Sequence, residues 1–436
     1  MTTQVHIPWW SRPELAFALV SVPVLIAAYF IPASTYLEQW RTPKYFSERY
    51  LLFALAAVAT FCISSAGAAY VVRVSGSRGA DNEIGDGLPW EKLLAIFYGM
   101  AALTIVGYVA WAGAAIVRGA DLKLVLDILG GSRGAASRMK EVYLVTIPGV
   151  TTLTQFGIPA VILGALLLTR YRATRIVPVI ACLFVFTFAR AFFNSERLAV
   201  IEMALPAIIV GAPLVAGRKD RKWWMSPGAI AVAPVVGFLF VFGLFAASEY
   251  FRSWLNFYAA GNRSFLEFIA ARFTGYYATA LNNGAFLSER LLPLDYPFFS
   301  IHFLYRFPLL NTLIRSIFES PFEREDALLD ILSRGANPEF NNGGGLLLPF
   351  IDWGFPGGLF FWMAAGLAAG ASYASFRRMK LAGILTYPIL FIAVIEAPRV
   401  LYAAEGRVFP AWCAVVVALV ACRTSAPART AAGVAR

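Results

Sequence analysis

Long runs without a single charged side chain constrain this chain of 436 residues more than any other feature. They cover 15–37, 50–72, 93–117, 142–169 and 223–248. Each exceeds the roughly 20 apolar residues that a helix needs to cross hydrocarbon. A backbone surrounded by hydrocarbon must satisfy its own polar groups, so such runs fold as helices. Apolar residues make up 59% of the chain and charged residues only 14%, where a soluble domain sits near half and about a quarter. The fold class expected is an all-α polytopic membrane protein. Ten spanning helices are predicted, at about 14–32, 51–72, 93–117, 142–169, 176–193, 198–216, 227–247, 346–375, 383–397 and 407–422. Seven of them fill 1–247 and three fill 346–422, with a segment of their own at 248–345 and a cytoplasmic tail at 423–436.

The net charge of +11 does not read as a nucleic-acid surface, because basic residues mostly flank the apolar runs, where they fix orientation. Loops on one side, including 170–172, 218–222 and 377–380, hold 17 Lys and Arg. The opposite short loops hold 12, and 248–345 holds eight. The first side is therefore assigned to the cytoplasm, with both termini inside. One loop runs against this pattern: 118–141 carries five basic residues yet is assigned outside. The first run follows Pro13-Glu14 and is long enough to remain as a span, so no cleavable signal peptide is expected. Cys62, Cys182, Cys413 and Cys422 all lie within candidate spans and suggest neither a disulfide framework nor a thiolate metal site.

The segment 248–345 is too long for a plain connection and should carry structure of its own. Ser320-Pro321-Phe322-Glu323 reads as a capping box that opens a helix ending at Gly335. Ser264 to Tyr277 is amphipathic and reads as a second helix. Together they suggest a mainly helical external cap on the membrane surface. No internal repeat of the kind found in inverted-repeat transporters is visible.

Ionisable groups within spans usually mark a site, and here they sit toward one end: Glu202 in the sixth helix, Asp352 in the eighth, and Glu396 and Arg399 at the end of the ninth. Arg190, Glu196 and Arg197 bracket one outer turn, and Glu405 and Arg407 another. They suggest a cavity opening outward, with interfacial ion pairs as the competing explanation. From Arg190 onward every basic residue on the outer face is arginine, among them Arg190, Arg197, Arg252, Arg272, Arg290, Arg399 and Arg407. A planar, permanently charged fork suits phosphate, although the ten acids of 248–345 are enough to pair with its eight arginines. His302 lies in the external segment and is a candidate base, or else a packed aromatic neighbour. With one histidine and no cysteine there, no zinc site is expected. The first outer loop lacks the paired Asp-x-Asp of metal-dependent glycosyltransferases.

Asn341-Asn342-Gly343-Gly344-Gly345 feeds into a helix that contains Asp352-Trp353-Gly354-Phe355-Pro356-Gly357. This stretch resembles the bacterial O-antigen or oligosaccharide repeat-unit polymerases (Wzy-type). Gly149 through Gly157 (GVTTLTQFG) and Arg190 through Arg197 fit too, as does the layout of ten helices with one long external loop between late helices. The resemblance spans about 142–420. Arg334 and Gly345 match the Arg-x10-Gly pattern associated with the family's outer loops. The related O-antigen ligases carry a functional histidine just before the late helix, where this chain has Asn341 and Asn342.

The resemblance implies inverting glycosyl transfer on the outer side of the bacterial cytoplasmic membrane, without cofactor or metal. It also implies a polyprenyl-diphosphate-linked oligosaccharide as substrate, and a chain-length regulator or flippase as partners alongside membrane lipids. Arginines would stabilise the diphosphate leaving group, and a carboxylate or histidine would take the acceptor's proton. The catalytic candidates are Arg190, Arg197, Arg290, Glu202, Asp352 and His302. Arg272, Arg399, Glu396, Tyr276 and Tyr305 are expected to bind substrate. The alternatives are a lipid-linked glycan flippase or transporter, which would want charges near mid-span, and another membrane glycosyltransferase such as a ligase.

Overall fold

The computed structural model describes residues 6–75, 89–194, 196, 198–218, 222–259, 261, 263–291, 297–306 and 321–423. Helices dominate the described residues, and no strand occurs among them. In order the main helices are α1 (Pro13–Phe30), α2 (Ala33–Trp40), α3 (Glu48–Ser75), α4 (Trp90–Val117), α5 (Leu122–Leu129), α6 (Gly157–Arg170) and α7 (Val177–Phe193). They continue with α8 (Leu198–Ala216), α9 (Ala233–Glu249), α10 (Phe265–Arg290), α11 (Pro321–Gly335), α12 (Leu348–Arg377), α13 (Leu381–Glu396) and α14 (Phe409–Arg423).

Eight helical segments among the described residues are long and apolar enough to cross a membrane. They are α1, α3, α4, Val150–Arg170, Thr174–Phe193, α8, Ala233–Leu255 and α12. Leu381–Glu396 and Phe409–Cys422 are apolar but shorter. Large apolar side chains such as Phe30, Ile63, Val117 and Leu239 point outward from the bundle. A continuous coat of this kind is unfavourable in water and natural in hydrocarbon.

Two expected spans are corrected at their ends. The fourth does not begin at 142: Met139–Tyr143 winds as a wide turn, and helix resumes only at Val150. Pro148 removes a backbone donor and Gly149 sits at φ +83, which a helix cannot continue through. The seventh is broken in two, Pro227–Ala231 and Ala233–Glu249, with Pro234 in the first turn of the second piece.

Tight packing comes from small residues. Alongside α3, α12 presents Gly366 and Gly370 one turn apart. A Cβ on Gly366 would overlap the Ser64 hydroxyl, and one on Gly370 the Ser65 carbonyl oxygen. Backbones approach this closely only where side chains are absent. Phe17, Phe61 and Trp362 pack against one another beside the contact, with the Phe17 and Phe61 ring centroids 4.1 Å apart.

The loops sort to two ends of the bundle. At one end Arg218 donates to the Thr169 carbonyl, Arg378 to the Val72 carbonyl, and Trp10 Nε1 to the Ile230 carbonyl at 2.8 Å. At the other, Trp40 Nε1 donates to the Ala271 carbonyl at 3.0 Å and Thr42 Oγ1 to the Gly335 carbonyl at 2.9 Å. The turn at 136–141, whose basic residues argue for the first end, lies at the second.

α10 is longer than the amphipathic stretch suggests. Ser264 and Glu267 close its N-terminus as a capping box, and the helix runs on to Arg290. Its second half is buried between the glycine-rich run before α12 and the chain at 42–46. Asn282 accepts from the backbone N–H groups of Tyr45 and Phe46 at 2.6 and 3.0 Å. Asn283 donates to the Phe340 and Asn342 carbonyls at 2.7 and 3.0 Å. Gly344, at φ +66, passes so close to α10 that a Cβ would stand 2.5 Å from the Ala280 carbonyl oxygen. The glycine run is therefore a close-packed crossing. α11 covers this region, and the capping box read at Ser320 lies outside the described residues.

Candidate functional site

Where α7 gives way to α8 and α13 to α14, the bundle holds a cavity of about 600 Å³, within the usual range for ligand sites. Five cations (Lys140, Arg252, Arg272, Arg399, Arg407) and five carboxylates (Glu141, Glu196, Glu339, Glu396, Glu405) line it. Leu198, Ile201, Val241, Phe245 and Phe273 supply an apolar side, and Tyr258, Tyr276, Tyr277 and Tyr402 supply aromatic hydroxyls.

The charges are organised in three groups. Glu249 closes α9 and its side chain is 0% exposed. It accepts from Arg252, from Ser253 Oγ at 2.9 Å and from Arg272 Nε at 3.2 Å. Arg252 also donates to the Tyr276 hydroxyl at 3.0 Å, while Arg272 Nη1 donates to Glu339. The Arg272 guanidinium lies 4.9 Å from the Phe340 ring centre. A second group is local: Arg399 Nε and Nη2 reach Glu396 Oε2 at 2.9 and 2.7 Å, a pairing across one helical turn.

The third group ties together chain segments distant in sequence. Arg190 grips Glu196 Oε2 with Nε at 2.7 Å and donates from Nη1 to Thr154 Oγ1 at 2.9 Å. Arg407 Nη2 donates to Glu202 Oε2 at 2.8 Å and lies 4.0 Å from Glu196. The Tyr402 hydroxyl donates to Glu202 Oε1 at 2.8 Å. Burial would push the Glu196 carboxyl up, but Arg190 and Arg407 outweigh it and hold the group below its ordinary value. At Tyr277 burial dominates, with Glu396 adding and Arg399 opposing, and lifts the phenol to about 12. Tyr277 is therefore a neutral hydroxyl at any physiological pH.

The residues singled out from sequence divide between separate places. Arg272, Arg399, Glu396 and Tyr276 line the cavity. Arg190 and Glu202 stand behind its wall, bonded to Glu196, Arg407 and Tyr402. Arg197 lies outside the described residues. Asp352, His302 and Tyr305 belong to another cluster. Asp352 accepts from the backbone N–H groups of Phe298, Phe299 and Ser300 at 2.9, 3.1 and 2.6 Å. Tyr305 donates to the Pro297 carbonyl at 2.7 Å, and His302 packs edge-on to Phe298. This arrangement ties the chain before His302 to α12 and leaves Asp352 no role as a free acceptor in the cavity. Arg290 is not among the cavity's lining and lies over the Phe286 ring.

Sequence does not single out Glu249, Glu339 or Tyr402, and it marks Arg252 only as one of the outer arginines and Arg407 as one of them at an outer turn. The signal for Glu249 was a lone acid directly after a charge-free run of 26 residues ending at 248. No group of three or more His, Cys, Asp or Glu converges as a metal site among the described residues.

A second cavity, of about 320 Å³, opens between α12 and α13. Phe17, Phe61, Trp362 and a set of alanines on those two helices line it, and Tyr402 borders both cavities. The chain matches no family model, no curated protein and no solved structure.

Proposed function

We propose that this chain is a membrane-embedded glycosyltransferase that polymerises polyprenyl-diphosphate-linked oligosaccharide repeat units into a surface polysaccharide, on the outer side of the bacterial cytoplasmic membrane. The observation that carries this reading is the arginine-lined cavity at one end of an apolar bundle. Such a site suits a substrate with a phosphorylated head and a hydrocarbon chain. The apolar cavity across Tyr402 supports it from the lipid side, since its walls match an isoprenoid.

The chemistry is a displacement at the anomeric carbon. The acceptor hydroxyl oxygen forms the new C–O bond on the face opposite the diphosphate, so configuration inverts. The old C–O bond breaks, and its electron pair leaves with polyprenyl diphosphate. Arginine forks held in place before reaction stabilise that growing negative charge without reorganising. The acceptor's proton needs a carboxylate within reach. Glu202, Asp352 and His302 do not line the cavity, whereas Glu396, expected from sequence to bind substrate, does.

Deleting the gene should leave lipid-linked glycans of one repeat unit, seen as loss of the ladder on a gel; unaltered chain length would refute the reading. Complementation with Arg399→Gln should fail to restore long chains while the protein remains in the membrane.

A further inference from the structure

A cavity that takes a diphosphate should offer net positive charge, yet the side chains lining this one balance, five against five. Some carboxylate must give way before a dianion is welcome. Glu141 and Glu405 hold no arginine in a described ion pair, and Glu249, behind the lining, cannot move: it is fully enclosed and shared by Arg252, Ser253 and Arg272. Nor can Glu196, held between Arg190 and Arg407. Glu396 is only 6% exposed and bonded twice by Arg399. Glu339 differs. Its side chain is 48% exposed, and its described ion pair is with one arginine, Arg272, which is itself 8% exposed. The backbone beneath it is pinned, because Glu339 N–H donates to Asn337 Oδ1 at 2.9 Å and Asn337 Nδ2 donates to the Trp40 carbonyl at 2.9 Å. The carboxylate can therefore swing out by side-chain rotation alone.

We infer that Arg252 and Arg272 form an anion subsite for a phosphate or diphosphate group, and that the Glu339 carboxylate occupies it until the ligand arrives. The inference deepens the proposed function and rests on it. Among the described ion pairs, two arginines set against the single charge of Glu249 leave one net positive charge once Glu339 departs. The Phe340 ring, 4.9 Å from the Arg272 guanidinium, holds that fork in place as its partner changes. Glu339 thus acts as a placeholder: it keeps a buried arginine paired when the site is empty and yields to a ligand of higher charge.

The test is calorimetric titration of the full-length protein in detergent with two probes, inorganic pyrophosphate and farnesyl diphosphate. Glu339→Gln keeps the shape and removes the competing charge, so it should bind both probes about fivefold more tightly than wild type, the upper range for one half-exposed ion pair. Glu405→Gln removes the same charge from the same cavity and should tighten binding less. Arg272→Gln should weaken it severalfold. Equal gains from Glu339→Gln and Glu405→Gln would overturn the placeholder in favour of a general field, and unchanged or weaker binding by Glu339→Gln would overturn it outright. In both cases wild-type binding would leave the diphosphate reading standing. Failure of every form to bind either probe would sink both. Tighter binding of the farnesyl form identifies a lipid headgroup as the ligand, whereas equal binding leaves the subsite intact and contradicts the lipid-linked substrate.

Discussion

At the scale of residues, the cavity is governed by ion pairs that cannot be removed singly without cost. Arg272→Ala would strand part of the Glu249 charge in a fully buried place. The expected loss is about 3 kcal/mol, toward the lower end for a broken buried pair because Arg252 still faces Glu249. A fall in the thermal midpoint in detergent checks it. Glu196 sets a pH dependence. Its folded pKa is depressed, so its contribution is complete above the ordinary carboxylate value and disappears as pH falls through the lower folded one. Thermal stability measured from pH 7 down to 3 should drop on the acid side, and Glu196→Gln should flatten that limb. Sequence indicated the depth at which charges lie along each helix but not the way each helix is turned. Glu396 and Asp352 look alike in sequence, each an acid near a helix end. One faces the cavity, while the other holds three backbone N–H groups. His302 and Tyr305 follow Asp352 because a backbone bond, invisible to side-chain pattern, ties their segment there.

At the scale of elements, hydrophobic run length located eight helices long and apolar enough to cross a membrane and two shorter apolar ones, because a bilayer sets a minimum length for a span. Breaks inside runs were harder. Ile147-Pro148-Gly149 and the residues around Pro234 are apolar, so they leave hydropathy unchanged while ending helices. The extent of α10 was missed for the opposite reason: Asn282 and Asn283 look like loop residues, yet they sit mid-helix stapling two neighbouring segments. Its start at Ser264 follows from the amphipathic pattern, and the Ser264–Glu267 capping box that fixes it there is a finding of the structure. Ser264→Ala should cost about 1 kcal/mol, read as a lower thermal midpoint. The α3–α12 contact offers a sharper test. Gly370→Ala puts a methyl into the Ser65 carbonyl and should destabilise by about 1–3 kcal/mol. Gly237→Ala, on the outer face of α9 with nothing within 4 Å, should be neutral or slightly stabilising. Equal effects from the two would contradict the packing described.

At the scale of the whole molecule, one asymmetry organises everything. Loops joined by Arg218 and Arg378 share one end, and the arginine-lined cavity occupies the other. The proposed reaction requires the cavity end to face away from the cytoplasm, where lipid-linked glycans await assembly. Impermeant maleimide labelling of spheroplasts addresses this most directly, in a background where Cys62, Cys182, Cys413 and Cys422 are replaced by alanine. Leu266→Cys, 70% exposed at the start of α10, should react in intact spheroplasts. Ala382→Cys, exposed at the opposite end, should react only after lysis. The reverse pattern would contradict the account, because the guanidinium groups would then face a compartment in which the finished chain has no use.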